Sequence, residues 1–365
     1  MKINIINLSD ITGGQEKYIY NIIKKISLKY TIRMYTNFNM WENNKMIDIN
    51  TEYINVNSIK YKELFNIKKN TLKNSINKEE DVFLFNGNRA IYLGSLFPKK
   101  YKKIAIQHSS LVDEQDGKYK RIFRVLFYKF LLCRYNRLIG VSENTIKQLN
   151  SNRKVFVVHN GVDTEKYHPI NQDSKELLRK KLGFTSGDRI ILMVGTLTDN
   201  KGQLNALNII ENLDNSYRLI LVGDGPERKN IEKYIKDNKL EKKVRLAGKI
   251  DNVEEYYWIS DMLICLSKNE GLPLTILEGM ATGLPVLTTR IGGIPEIFVD
   301  MENGFFIDRN NTLDTVYKVR TIFDDQYMIR RLRENNMKKI RDEYNLTNCV
   351  KNLVRHIEEV SIGKG

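Results

Sequence analysis

Residues 189–202 read RIILMVGTLTDNKG. An apolar run closed by glycine marks a strand, and the polar turn after it delivers Lys201 and Gly202 to the start of a new periodic segment, Gln203–Leu213, that reads as a helix. The same unit recurs downstream. Strands are expected at Tyr217–Val222, Val244–Ala247, Met262–Leu266 and Val286–Thr288, and helices at Pro226–Asn238, Val253–Ile259 and Pro273–Thr282. Upstream, strands are expected at Ile3–Leu8, Thr31–Thr36, Val82–Asn86, Ile104–Gln107, Leu138–Val141 and Val155–Val158. A helix over Gln15–Tyr30 carries Ile19, Ile22, Ile23 and Ile26, and Ser142 and Asn144 offer caps for another toward Leu149. Strand–helix alternation builds parallel sheets with helices on both faces. The alternation pauses after Asn160 and then restarts, so the fold class expected is α/β, with two doubly wound domains in tandem. The expected division is 1–165, 166–344 and a final helical segment 345–365, with the tail almost wholly helical from Asp314.

The chain has 365 residues, 41% hydrophobic and 28% charged. That length supports two domains with substantial cores, and that balance excludes wholesale disorder. The longest apolar runs, such as Val155–Val158 and Ile190–Val194, fall far short of the ~20 residues of a spanning helix. The N-terminus reads as a strand rather than a signal peptide. Three widely spaced cysteines (Cys133, Cys265, Cys349) form neither a disulfide framework nor a metal knuckle, so a reducing cytoplasm is expected. Residues 1–160 hold 28 Lys+Arg against 13 Asp+Glu, a net +15, whereas the remainder balances at 31 of each. The first half is therefore expected to face something anionic: nucleic acid, a membrane surface or a phosphorylated substrate.

Several strand ends carry groups suited to a ligand. Gly13 and Gly14 lie between the first strand and first helix, where backbone N–H groups can turn toward an anion. They do not form a nicotinamide-binding fingerprint. Gly195, Thr196 and Lys201 place a cation and a helix start at the carboxyl edge of the sheet, and Gly223-Asp224-Gly225-Pro226 repeats the design. The sharpest feature is NEGLPLTILEG, residues 269–279. Glu270 precedes a Gly271-Leu272-Pro273-Leu274 turn and Glu278 lies inside the helix that follows, with Pro273 suited to its first position. Carboxylates accept hydrogen bonds from vicinal hydroxyls, and free N–H groups at a helix start bind phosphate. A polyhydroxyl anion such as a nucleotide sugar fits both. The blander alternative makes Glu270 a helix cap and Glu278 a surface residue.

These motifs, with Val157–Asp163 (VVHNGVD), occur in the order and spacing of family-4 retaining glycosyltransferases, which the chain resembles over essentially its whole length. The resemblance implies two Rossmann-like domains of the B-type glycosyltransferase architecture facing a central cleft, with the last helix, Leu346–Val360, crossing back to the first domain. It implies that Glu278 holds ribose hydroxyls and Glu270 the transferred sugar. Lys201 and the backbone of Gly271, Leu272, Pro273 and Leu274 would take the diphosphate, and main chain near Gly248 and Lys249 the base. Gly14 would approach from the opposite domain, and His108 would lie near the transferred sugar. One departure is Thr196, where the family commonly has arginine, so one phosphate-binding cation is missing. Glycosyl transfer requires charge stabilisation on the leaving diphosphate. No D-x-D occurs in the sequence, so protein cations and helix N-termini are expected to supply it. No cofactor and no metal are expected, and a UDP-sugar ranks first as donor.

Residues 117–137 (GKYKRIFRVLFYKFLLCRYNR) carry seven basic residues, six aromatics and no acid. Ile122, Val125, Leu126, Lys129 and Phe130 share one face at helical spacing, flanked by Lys118, Lys120, Arg121 and Arg124. Such a helix can lie on an anionic leaflet, bind nucleic acid, or pack on the sheet with its cations solvated. Membrane association is the expectation for the basic face. The function expected is transfer of a sugar to a lipid-linked glycan acceptor of bacterial surface polysaccharide (O-antigen, capsule or lipopolysaccharide). It would take place at the cytoplasmic face of the membrane, with no nucleic-acid partner. A nucleotide-sugar 2-epimerase and a nucleic-acid-binding protein are the alternatives.

Overall fold

A computed structural model describes residues 1–8, 13–36, 51–55, 81–110, 117–149 and 154–363. The chain forms two compact units, Met1–Asn160 with Leu346–Gly365, and Gly161–Asn345. The first crossing falls at Asn160/Gly161 rather than after residue 165. The cause is local: Val162 donates its N–H to Tyr344 O at 2.9 Å and bridges Asn345, tying Gly161–Asp163 to the second unit.

In the first unit, β1 (Lys2–Asn7), β2 (Thr31–Thr36), β3 (Thr51–Asn55), β4 (Val82–Asn86), β5 (Lys102–Gln107), β6 (Arg137–Gly140) and β7 (Val155–Val157) form one parallel sheet. Its order is β3-β2-β1-β4-β5-β6-β7. Chain order reverses between β1 and β4, and the strand ends there flank the crevice where open α/β sheets take ligands. Around the sheet lie α1 (Gly14–Ile26), α2 (Asn88–Ser95), α3 (Lys118–Leu132) and α4 (Glu143–Ile146). Helix α1 buries Ile19, Ile22, Ile23 and Ile26. It stops short of Tyr30 because Ser27–Tyr30 makes the turn into β2, with Lys29 and Tyr30 both donating to Ile26 O. Phe83, Phe85, Phe97, Tyr101 and Tyr135 pack one face of the sheet, most pairs edge to face with centroids 5.3–6.1 Å apart.

The second unit begins with α5 (Gln172–Lys181). Its strands are β8 (Arg189–Val194), β9 (Tyr217–Val222), β10 (Val244–Gly248), β11 (Met262–Cys265), β12 (Val286–Thr289) and β13 (Gly304–Ile307). They form a parallel sheet of order β10-β9-β8-β11-β12-β13, reversing between β8 and β11. Helices α6 (Gln203–Glu211), α7 (Arg228–Asp237), α8 (Val253–Ile259), α9 (Leu274–Ala281), α10 (Ile294–Ile297), α11 (Thr312–Asp324) and α12 (Gln326–Glu343) surround it. Helix α5 has little apolar periodicity to read, because it is held largely by ion pairs. Lys175 and Arg179 contact the two oxygens of Asp261 at 2.7 and 2.6 Å.

The last helix, α13 (Leu346–Ser361), belongs to the first unit. It buries Leu353, Ile357 and Val360. Polar contacts fix its far end: Arg137 reaches Glu359 at 2.6 Å, Lys29 reaches Glu358 at 2.9 Å, and Lys102 Nζ donates to Ser361 O at 2.7 Å.

Candidate functional site

In the second unit the chemistry-bearing residues gather where β8 and β11 end. Gly195 leaves β8, and the stem of Lys201 lies 3.6 Å from where a Cβ on Gly195 would stand. Gly202 starts the next turn in the left-handed region (φ +82°), with only 2.7 Å between an added Cβ and Leu266 O. These close approaches bring Lys201 against the β11 loop, where its ammonium pairs with Glu270. Ser267 Oγ donates to the same Glu270 oxygen at 2.6 Å. Burial works against the Lys201 ammonium, but the Glu270 carboxylate outweighs it, and the pKa lies above the ordinary lysine value. The two loops are also tied by main chain, Lys268 N–H donating to Asn200 O at 2.7 Å.

The Glu270 turn rests on a glycine pair. Gly293 N–H donates to Gly271 O at 2.9 Å. Gly292 has φ +54°, and a Cβ on it would lie 1.8 Å from Glu270 O. Gly292→Ala is therefore expected to lower stability by roughly 1–3 kcal/mol and to displace Glu270. Thermal unfolding, read together with turnover, checks this.

Helix α9 begins at Leu274, with Pro273 as its N-cap (φ −71°, ψ 118°) rather than its first residue. No side chain caps it, and among the described residues the N–H groups of Gly271 and Leu274 find no acceptor. This is the polarity that receives anions. Glu278 is buried in α9 and accepts from Tyr257 Oη at 3.0 Å, with the Tyr167 ring edge-on to Tyr257 at 5.6 Å. Burial, with the Glu278 charge beside it, raises the Tyr257 hydroxyl well above its ordinary pKa. Glu278 is thus no surface residue, and Glu270 is bonded to Ser267 and Lys201 rather than capping the helix.

The other strand-end glycines pack main chain against main chain. A Cβ on Gly223 would stand 2.0 Å from Gly195 O, and one on Gly225 would stand 2.4 Å from Leu197 O. Gly223 N–H donates to Gly248 O at 2.8 Å. Gly195, Gly223, Gly225 and Gly248 therefore form one edge. Lys249 beside them is exposed, and Thr196 O accepts from Gln203.

In the first unit, Gly13 N–H is taken by Glu16 Oε2 at 2.9 Å, whereas Gly14 has nothing within 4 Å of an added Cβ. His108 follows β5, with Nε2 2.7 Å from Asn86 Oδ1 and the Tyr18 ring edge-on at 4.8 Å. Burial pushes its imidazole down to about 3. Helix α3 divides differently from the face expected. Leu131 is buried, and Val125, Phe127 and Tyr128 pack with it against the core. Tyr119 (87% exposed), Ile122, Phe123 (69%), Leu126 and Phe130 (67%) point outward. Lys118, Lys120, Arg121 and Lys129 are exposed on the same helix, Arg124 is half-buried, and no acid interrupts them.

Sequence reasoning missed the supporting residues. Ser267 opens the polar run Ser267–Glu270 and Tyr257 sits between Tyr256 and Trp258, and neither leaves a spacing signal. The Gly292-Gly293 pair follows β12 as Gly195 follows β8, and that repeated strand–glycine pattern would have exposed it. Asn7 and Asn86 end the two central strands, which makes them legible only once strand order is known.

Residues 174–339 match the family model for glycosyl transferases group 1. The chain is 26% identical to an uncharacterized glycosyltransferase of Methanocaldococcus jannaschii over 96% of its own length and 95% of that protein's. It is 31% identical to the UDP-Gal:alpha-D-GlcNAc-diphosphoundecaprenol alpha-1,3-galactosyltransferase of Escherichia coli, over 64% of its own length and 61% of that enzyme's. Among solved structures, Anabaena HepE in complex with UDP and glucose superposes with a TM-score of 0.83 at 17% identity, covering 98% of this chain and all of that one. The chain has the B-type glycosyltransferase fold, and its residues 174–339 are similar to the glycosyl transferases group 1.

Proposed function

We propose that the protein is a retaining glycosyltransferase that moves a sugar from a nucleoside diphosphate sugar, a UDP-sugar first among candidates, to a lipid-linked glycan acceptor of a bacterial surface polysaccharide. The observation that carries this reading is the Lys201–Glu270–Ser267 cluster beside the uncapped start of α9. In this reading Lys201 and the N–H groups of Gly271 and Leu274 hold the diphosphate and take up charge as it leaves. Lys201 and that helix start replace the cation missing at Thr196, and no metal is required. Glu270 positions the sugar without attacking it, and the leaving phosphate oxygen assists deprotonation of the acceptor hydroxyl on the same face. Glu278, fixed by Tyr257, takes the ribose hydroxyls. The test is turnover of a panel of nucleotide sugars with and without acceptor, in chelator. Consumption only with acceptor supports transfer. Consumption without acceptor points to a 2-epimerase, and a covalent glycosyl-enzyme on any carboxylate overturns the role of Glu270.

The lipid-linked acceptor draws support from α3 and from the diphosphoundecaprenol acceptor named for the E. coli relative. No helix among the described residues is long and apolar enough to cross a membrane. An exposed row of aromatic and aliphatic side chains among cations suits adsorption to an anionic leaflet, at the cytoplasmic face in this reading. Wild-type protein is expected to float with phosphatidylglycerol vesicles and not with phosphatidylcholine vesicles. Phe123→Ser with Lys120→Glu should lower that binding at least tenfold, at about 1 kcal/mol per cation near the surface plus the lost apolar contact. Equal binding to both vesicle types contradicts the assignment, and salt-sensitive binding to DNA in its place would favour a nucleic-acid role for this face.

A further inference from the structure

Four side chains at the central strand ends of the first unit form a hydrogen-bond chain whose direction can be deduced. Gln15 Nε2 lies 3.1 Å from the main-chain oxygen of Asn86 and 2.9 Å from Asn7 Oδ1. Asn86 Nδ2 lies 2.8 Å from the same Asn7 oxygen, and Asn86 Oδ1 lies 2.7 Å from His108 Nε2. A main-chain carbonyl only accepts, so the Gln15 group facing it must be the amide NH2; the reverse orientation would set two oxygens 3.1 Å apart. Gln15 therefore donates to Asn7 Oδ1, which also receives Asn86 Nδ2–H, an orientation that leaves Asn7 Nδ2 a buried donor without a partner among the described residues. That leaves Asn86 Oδ1 toward the ring, and an acceptor at 2.7 Å requires a proton on His108 Nε2.

The chain is rigidly housed. Asn7 and Asn86 are fully buried where β1 and β4 part. Gly87 (φ +82°) leaves the space that Gln15 occupies, since a Cβ there would stand 2.4 Å from Gln15 Oε1. Among the described residues Nδ1 of His108 makes no hydrogen bond. Tyr18 is the titratable side chain stacked on the ring, and burial alone keeps the imidazole uncharged across neutral pH.

We propose that the Gln15–Asn7–Asn86 chain locks His108 as the Nε2–H tautomer, so that Nδ1 is a standing acceptor for a sugar hydroxyl at the sheet edge of the first unit. Asn7 and Asn86 are positioning residues in this scheme. The ligand's identity as a sugar rests on the proposed function; the lock does not. Such a site takes a group that donates a hydrogen bond and rejects a deoxy position or a bare phosphate oxygen there.

Long-range proton–nitrogen spectra of the protein labelled with 15N-histidine read the lock directly, with His108 assigned by its loss in His108→Gln. The expected pattern is Nε2 protonated and Nδ1 bare, unchanged from about pH 7.5 to about pH 5, below the ordinary histidine midpoint of ~6.5. An Nδ1–H tautomer, or titration near the ordinary value, overturns the proposal. In Asn86→Asp a carboxylate stabilises the imidazolium, so the His108 signal should titrate within that range. The same ionisation should enter the kcat/KM profile, with a loss of about tenfold at neutral pH, an effect that a purely structural role would not produce. UDP-glucose and methyl α-glucoside are then added separately: a shifted Nδ1 resonance with the first assigns a donor hydroxyl, and with the second an acceptor hydroxyl. If UDP-glucose raises the melting temperature while neither probe moves Nδ1, the hydroxyl position is wrong. If no nucleotide sugar binds at all, the proposed function fails and the tautomer lock stands.

Discussion

Glu270→Ala is expected to lower kcat by about 10²–10³-fold and donor affinity by less, the scale found when one preorganised hydrogen-bond contact is lost from a transition state. The carboxylate has two jobs in this account. It accepts from Ser267 and pairs with Lys201, holding the ammonium at the strand edge, and it orients the hydroxyls of the sugar being transferred. Removing it leaves a partly buried ammonium without its partner, so the lysine itself is expected to move. Lys201→Ala should therefore cost a similar factor, and the double variant little more than either alone, because the two residues act as a unit. Steady-state kinetics of the two single variants and the double variant check this. Fully additive losses would separate the residues into independent roles.

Glu278→Ala is the second large effect, and it should fall on binding. Its carboxylate is buried with the Tyr257 hydroxyl donating to it, so alanine removes the proposed ribose contact and leaves that hydroxyl only the Thr275 main-chain oxygen, 3.3 Å away. Exchanging a charged acceptor for a neutral one costs about 1 kcal/mol of stability. Loss of the charged acceptor should weaken nucleotide-sugar binding by about tenfold to a hundredfold. Tyr257→Phe separates the two: it leaves the carboxylate in place and removes only the Tyr257 hydrogen bond, and should weaken donor binding less than Glu278→Ala does. Isothermal titration with the donor reads both variants, and equal affinity in Glu278→Ala and wild type would remove Glu278 from the site.

Much of this fold could be read from strand–glycine–helix units. Arg189–Val194, Tyr217–Val222 and Val82–Asn86 are buried on both faces and needed no tertiary knowledge. Elements stabilised by something other than apolar periodicity were not legible. Helix α5 is anchored by Lys175 and Arg179 on Asp261, and β13 is four residues long at a sheet edge. At the site, the glutamate spacing was visible because a turn and a helix fix it locally. Tyr257 and Gly292 act across about twenty residues and were not, and Ser267, three residues before Glu270, is a lone hydroxyl in a polar loop that no spacing pattern marks. Helix α3 shows the same limit: spacing identified its apolar residues, but which of them face the core depends on Tyr92 and the neighbouring sheet. Phe127, 6.3 Å from the Tyr92 ring, turned inward while Phe123 and Phe130 stayed out.

The central claim is that the second unit binds a nucleoside diphosphate sugar through Lys201, Glu270 and Glu278. Thermal unfolding against a panel of nucleotide sugars tests it most directly, since a ligand at 100 times its Kd adds about 2.7 kcal/mol to the folded state. The account predicts that at least one nucleotide sugar raises Tm in wild type, that Glu278→Ala loses most of that rise, and that free sugar gives none. No rise with any nucleotide sugar, or an equal rise in Glu278→Ala, would contradict it.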